Sequence, residues 1–549
     1  MVDDMGFSDL GCYGGEISTP TIDRLATNGV RFTNFYNCAR CCPTRASLLT
    51  GLYPHQAGIG HMTNGNIDEP RSNQDVDADG YQGFLNERCT TIAEVLRPAG
   101  YKTYMSGKWH VGLQPEYWPV KRGFDRHFGL IGGACNYFDP EPERFLVDGD
   151  EAVEPWPGFY TTDAFSDHAV QYIDEHTGND PFFLYLAYTA PHWPLHAWSE
   201  DIERYRGTYM DGWDALRERR FARQKELGLF GPEVELSPRD SEAPPWDSIK
   251  NKEEWDLRMA VYAAMVDRMD QGLGRVVDAL KRGGHFEDTL ILFLSDNGAC
   301  AESYDAAPGV PPGPEESATG VWLPWANASN TPFRLFKHFA HEGGINTPFI
   351  AHWTNGIKTS RIESSYAAHV KDIPTTIYDL AGVDPPQERD GIELTQLEGK
   401  SFAGVLESGP GVGQDAEGDG GASAGRRAPN TTRAAGASAA GPPAGSASTN
   451  DQVLFWEHEG NRAVRDGDWK LVSYYGEGHG FSTAWSVGRG CRVGPWELYN
   501  LADDPTELHD RAAEEPERAA TMIAAYKAYA ERTGVVDWET IQKTRGRCP

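Results

Sequence analysis

Thr289-Leu290-Ile291-Leu292-Phe293-Leu294-Ser295-Asp296-Asn297-Gly298 is the stretch from which the fold is read. An unbroken apolar run closed by an Asp-Asn-Gly turn describes a parallel strand covered on both faces. Just upstream, residues 257–280 place apolar side chains at helical spacing, and Gly283-Gly284 ends that helix. Further out, residues 101–105 and 182–188 read as strands, preceded by helical stretches at 91–96 and 162–175. Residues 348–353 form another short buried strand, followed by a helix near 373–380. Thr19-Pro20 opens one more helix, with a capping Thr and Pro at the first helical position. Strands alternating with helices predict an α/β fold, a large and mostly parallel sheet between helices.

Residues 408–450 change character, as in Gly420-Gly421-Ala422-Ser423-Ala424-Gly425. Such a tract buries too little apolar surface to offset its ordering entropy, which predicts a flexible insertion. Beyond it, residues 453–456, 469–472 and 497–499 read as short strands and 516–532 as a helix. The chain thus divides into an α/β body (1–405), the insertion (406–451) and a small antiparallel sheet plus helix (452–549). Of 549 residues, 39 % are hydrophobic and 24 % charged, the balance of a folded protein. Lys+Arg 50 against Asp+Glu 81 leaves a net charge of −31, which excludes general nucleic-acid or anionic-lipid binding. No run of about 18 apolar residues predicts a membrane span. Nine cysteines are too few for a disulfide-built scaffold, although a few bridges stay open. No signal-peptide pattern opens the sequence.

Asp3-Asp4 and Asp296-Asn297 each fall at the carboxyl end of a strand, where open α/β sheets bind ligands. Three carboxylates and an amide oxygen are hard donors, suited to Ca²⁺ or Mg²⁺ rather than Zn²⁺. Each pair is equally ordinary turn chemistry. In Cys41-Cys42-Pro43-Thr44-Arg45-Ala46-Ser47-Leu48-Leu49-Thr50-Gly51, Pro43 suits a first helical turn and Gly51 a helix end. Cys41 then sits at a helix N-terminus, which favours an anion, and Arg45 lies one turn on along the same side. Cys38 and Cys41 have CxxC spacing, so a zinc or redox cluster competes, as does a plain buried thiol. Lys108 and His110 share one face of an extended chain after the 101–105 strand. His192, in Ala190-Pro191-His192, follows the 182–188 strand, and Lys337 precedes Glu342-Gly343-Gly344. Singly, each His is an ordinary structural residue and each Lys a solvated one; their shared place past strand ends singles them out. His55 and His61 are further pocket candidates, and Trp193, Trp198, Trp322 and Trp325 a candidate sugar-stacking platform.

Together these motifs resemble the sulfatase family of the alkaline phosphatase superfamily, over residues 1–405 and more weakly 452–535. The most specific element is the Cys-x-Pro-Thr-Arg run that ends Leu49-Thr50-Gly51. The resemblance implies an alkaline-phosphatase-like fold and an arylsulfatase-like hydrolase acting on aryl or carbohydrate sulfate esters. It implies that a separate maturation enzyme oxidises Cys41 to formylglycine. It further implies a Ca²⁺ ion, with Mg²⁺ a weaker substitute, on Asp3, Asp4, Asp296, Asn297 and residue 41. In the implied mechanism, hydrated formylglycine attacks sulfur while Arg45, Lys108 and Lys337 offset the charge on the sulfate oxygens. His192 or Lys337 protonates the departing alcohol, and His110 takes the remaining diol proton. A periplasmic or secreted location follows from the same resemblance. A phosphonate or phosphate monoester hydrolase and an inactive sulfated-glycan binder are the alternatives on this scaffold. Finally, only Met1 and Val2 precede Asp3, where a central strand of about five residues is expected. The expectation is a gap in the sheet, two frayed ligands and a true start upstream.

Overall fold

A computed structural model describes residues 1–63, 78–407, 452–475 and 493–544. The apolar run quoted above forms the strand Ile291–Leu294, but it pairs antiparallel with its neighbour rather than in parallel, and Ile291 and Leu292 are only half-buried. It is the edge of a four-stranded sheet ordered Arg361–Glu363, Val30–Phe32, Phe349–His352, Ile291–Leu294. A five-stranded sheet runs Glu151–Ala152, Leu146–Asp148, Arg126–Leu130, Lys102–Gly107, Phe182–Ala187. Lys102–Gly107 pairs in parallel with both neighbours, as the strand–helix alternation predicts. Phe349–His352 is antiparallel to both of its neighbours. The chain leaves Ile291–Leu294 at its carboxyl end and stays there through the helices Trp322–Ser329 and Glu342–Ile345. It re-enters the sheet from that end, which dictates the antiparallel sense.

Met1 and Val2 join the two sheets. The Met1 amine donates to Leu186 O at 2.9 Å and Tyr188 N donates to Met1 O at 3.0 Å. On the other side Val2 N donates to Leu294 O at 2.9 Å and Asp296 N to Val2 O at 3.1 Å. Behind them lies the expected gap, a cavity of about 750 Å³ lined by Phe182, Leu184, Leu290, Leu292, Leu273 and Ile377. The expected fraying is absent: Asp3 and Asp4 are buried, and Asp3 N donates to Ala190 O at 3.0 Å.

The long helix Lys252–Arg282 and the helix Thr161–Asp174 pack on this frame, burying Met259, Tyr262, Met269, Phe165 and Tyr172 in one apolar core. The C-terminal part is an antiparallel sheet of Leu454–His458, Asn461–Asp466, Trp469–Ser473 and Glu497–Asn500. The helix Pro516–Thr533 covers it, setting Met522, Tyr526 and Tyr529 against Val464, Leu471 and Leu498. Asn461–Asp466 escapes the sequence reading because Asn461, Arg462 and Arg465 break its apolar alternation. The expected insertion falls on residues outside those described, apart from Leu406 and Glu407, which end the helix Ala403–Glu407. Among the described residues no helix is long and apolar enough to cross a membrane.

Candidate active site

The carboxyl ends of the central strands converge on one buried cluster. Cys41 is the first residue of the helix Cys41–Thr50, with Gly51 closing it at φ +73°. Arg45, one turn on, is fully buried and grips Asp296 Oδ2 through Nε at 3.1 Å and Nη2 at 2.7 Å. Its Nη1 donates to Lys108 O at 2.9 Å, and Asp3 lies 3.6 Å from Nη2. Lys108 Nζ donates to Asp3 Oδ2 at 2.5 Å. Lys337 Nζ and Asn297 Nδ2 both donate to Asp4 Oδ1 at 2.6 Å. His192 Nε2 stands 3.5 Å from Asp4 Oδ2, while its Nδ1 donates to Trp193 O at 2.6 Å. His110 and Cys42 bring ligand atoms within 4.8 Å of the Cys41 sulfur.

Electrostatics follows from packing so much charge out of water. Burial pushes Asp3 up, and burial with the neighbouring Asp3 charge pushes Asp296 up to about 7. Against its own burial, Asp4 is held at about 2 by His192 and Lys337. Burial pushes His110 and His192 down to about 4, so both imidazoles are neutral near pH 7. The Cys42 thiol, which donates to Cys41, holds the Cys41 thiol well below its ordinary range despite burial, helped by Lys108 and His110. Three buried oxygens, Asp3 Oδ1, Asp4 Oδ2 and Asn297 Oδ1, have no hydrogen-bond partner. Unmet acceptors on three adjacent acidic or amide groups are what an oxygen-seeking dication would satisfy.

The structure therefore brings Asp3, Asp4, Cys41, Arg45, Lys108, His110, His192, Asp296, Asn297 and Lys337 together. It keeps His55 apart, 2.9 Å from Glu457, and Cys38 beside His369 at 3.7 Å. The seven described cysteines are free thiols. The four tryptophans do not form one platform. Trp325 is buried against Trp213, and Trp198 packs on Phe138. Trp193 alone adjoins His192, stacked on Tyr304 with centroids 4.1 Å apart. Sequence reading missed Arg40 and Glu302, which pair at 2.8 Å, with Trp193 Nε1 donating to Glu302 at 3.1 Å. The only signals were adjacency, Arg40 to Cys41 and Glu302 to the Asp296 turn.

A family model described as Sulfatase matches residues 1–383. The chain belongs to the sulfatase family. This sulfatase is 34 % identical to an uncharacterized sulfatase of Schizosaccharomyces pombe, over 98 % of this chain and 93 % of that one. It is also 34 % identical to an arylsulfatase of Klebsiella aerogenes, over 74 % of this chain and 90 % of that one. Among solved structures it is similar to Ps i-CgsB in complex with k-i-k-neocarrahexaose, with TM-score 0.63 and 24 % identity over 96 % and 91 % of the two chains. At that identity the likeness speaks for the fold alone, which is alkaline-phosphatase-like. The sulfatase is a sulfuric ester hydrolase by family.

Proposed function

We propose that this sulfatase hydrolyses an aryl or carbohydrate sulfate ester with Cys41 oxidised to formylglycine and Ca²⁺ on Asp3, Asp4, Asp296 and Asn297. The observation that carries the reading is the set of three orphaned buried oxygens around Cys41. When present, Ca²⁺ supplies a Lewis acid and formylglycine an oxygen nucleophile that a thiol lacks.

The chain's own residues do the rest. Arg45 is wholly engaged by Asp296, Asp3 and Lys108 O, so it acts by positioning the carboxylates. Lys108 and Lys337 each touch one carboxylate and turn their remaining N–H groups to the sulfate, offsetting charge as the S–O bond breaks. With Nδ1–H fixed on Trp193 O, neutral His192 keeps no proton on Nε2. It protonates the leaving alcohol only as the imidazolium, which the Asp4 carboxylate 3.5 Å from Nε2 favours, and Lys337 is the other proton donor at that carboxylate. His110, neutral and beside residue 41, is the base that takes the proton as sulfate departs. A low-dielectric pocket strengthens each of these interactions. The 34 % identity to the Klebsiella aerogenes arylsulfatase supports the aryl branch.

Mass spectrometry of the Cys41 peptide is expected to show a mass about 18 Da below the thiol form, as thiol-to-aldehyde oxidation requires. Cys41→Ala is expected to abolish turnover of an aryl sulfate. Full activity in protein that keeps the thiol overturns the reading. Faster turnover of a phosphate or phosphonate monoester than of any sulfate ester overturns the substrate class.

A further inference from the structure

Outside the catalytic cluster, a second group of ligand atoms converges with no task assigned to it. His338 lies just past Lys337, its N–H donating to Ala39 O at 2.7 Å. His458 ends the strand Leu454–His458, and Glu459 and Gly460 make the two-residue turn into Asn461–Asp466. Both turn residues have positive φ, +49° at Glu459 and +85° at Gly460, as a tight hairpin demands. A glutamate is a costly choice there, where Asn or Gly is usual. That turn aims its carboxylate back at the two imidazoles.

We propose that His338, His458 and Glu459 form a second metal site, for a borderline dication of the Zn²⁺ type, which staples the C-terminal hairpin to the catalytic body. Four ring nitrogens, Nδ1 and Nε2 of both histidines, are buried without a hydrogen-bond partner. The residues are 2 % and 1 % exposed, so bulk water does not meet that need. A buried unmet polar atom costs about 1–3 kcal/mol, so four together call for a partner. Glu459 Oε2 lies 3.7 Å from His338 Nδ1, and Oε1 lies 4.0 Å from His458 Nε2. All three ligand atoms sit within 4.8 Å of one another. Tetrahedral zinc with bonds of about 2.0–2.2 Å needs donors roughly 3.4 Å apart, a contraction on the order of 1 Å. The ring planes cross at 83° with centroids 5.1 Å apart, leaving the edges open to a shared ion. Burial holds both imidazoles well below their ordinary range, so their lone pairs are free at neutral pH. Two imidazoles with one carboxylate select a zinc-like ion over Ca²⁺, which prefers oxygen. The nearby cations Arg40 and Lys337 add to the lowering of His338, and their pairing with Glu302 and Asp4 offsets part of that charge.

The test is zinc binding to the full chain in saturating Ca²⁺, by competition with a chromogenic chelator. A Cys41→Ser background weakens the alternative zinc ligands Cys41, Cys42 and His110. One zinc per chain is expected, with the melting temperature rising by several degrees. Glu459→Gln, which hardly changes volume, and His458→Ala are each expected to weaken zinc by tenfold or more and to remove the thermal shift. No saturable zinc, or a smaller change in both variants, overturns the site. Neither readout involves sulfate hydrolysis, so failure here leaves the proposed function standing, and the reverse holds.

Discussion

Two ionic clusters built on buried charge lie close together in this chain, one of them reaching the surface at Glu16, and they differ in how their oxygens are satisfied. Arg220, 1 % exposed, grips Asp9 at 2.6 Å and Glu16 at 2.8 Å through two nitrogens. The other Asp9 oxygen accepts from Tyr262 at 2.7 Å and from Gly6 N at 2.9 Å. Every side-chain oxygen of that network has a donor. In the catalytic cluster, Asp3, Asp4 and Asn297 each keep one oxygen without any. Both clusters carry desolvated charge, so burial alone separates nothing. A closed network holds structure, whereas an open one waits for a ligand.

The largest expected effect is on the open cluster. Asp3→Asn keeps an oxygen for Lys108 but removes the charge facing the ion. Sulfate ester turnover is expected to fall by a factor of about 10³ or more, the scale of losing charge stabilisation at a reacting centre. Stability without added Ca²⁺ should also fall, because the buried Lys108 ammonium keeps a hydrogen bond but loses its counter-charge. Calorimetry should show Ca²⁺ binding weakened in step with activity. An Asp3→Asn enzyme with unchanged turnover would erase the distinction between the clusters.

Next comes the closed cluster. Arg220→Met strands Asp9 and is expected to cost roughly 3–5 kcal/mol of stability, the penalty for a buried charge left alone. Turnover per folded molecule should stay within a few-fold. Urea denaturation read beside active-site-normalised rates checks this. Adding Asp9→Leu should recover part of the loss, since it removes the stranded charge.

What the sequence made legible follows from how local each signal is. The Cys41–Thr50 helix, its N-terminal cysteine and Gly51 at its end are set within eleven residues, and the helix forms where read. Ile291–Leu294 with its Asp-Asn turn is equally local, and Asp3-Asp4 was readable by analogy with it. Gathering ten candidate residues into one site needed only the rule that strand carboxyl ends converge. The antiparallel sense of Phe349–His352 was hidden, because it depends on where a long excursion re-enters the sheet. Arg40–Glu302 and His338–His458 were hidden too. Each joins residues more than a hundred positions apart, and no periodicity marks either partner.

A third effect concerns neutral groups. His127 and His196 are both pushed down to about 4, chiefly by burial. Tyr137 N donates to His196 Nδ1 at 3.2 Å and Nε2 donates to Ser317 O at 2.7 Å, a pairing only the neutral ring can make. Below about pH 6.5 the unfolded imidazoles bind protons while the folded ones do not. Stability is therefore complete above that pH and drains as pH falls toward 4, by up to roughly 3 kcal/mol per ring. Urea midpoints at pH 7 and pH 5 should differ accordingly, and His127→Gln should flatten its share. Equal midpoints would show that these rings are solvated on the experimental timescale.

The smallest effect tests whether the open cluster is also the looser one. Phe182–Ala187 and Ile291–Leu294 are edge strands whose backbones are bridged by Met1 and Val2, with the 750 Å³ cavity behind them. Each strand alternates its edge groups, so Leu184 and Leu292 face the cavity on the same sides as Leu186 and Leu294. Five apolar, β-branched residues fused ahead of Met1 should fill that space as a parallel strand and pair with both edges. The gain, offset in part by the ordering of five residues, is expected to be about 1–2 kcal/mol, with a melting temperature a few degrees higher. Because Asp3 and Asp4 continue that strand, Ca²⁺ should bind several-fold more tightly, while the Arg220 cluster gains nothing. A Gly/Ser pentapeptide of the same length should do neither, since it brings no apolar surface to the slot. If the two extensions behave alike in melting temperature and Ca²⁺ affinity, the cavity does not accept a strand, and the metal ligands are already as rigid as the closed cluster.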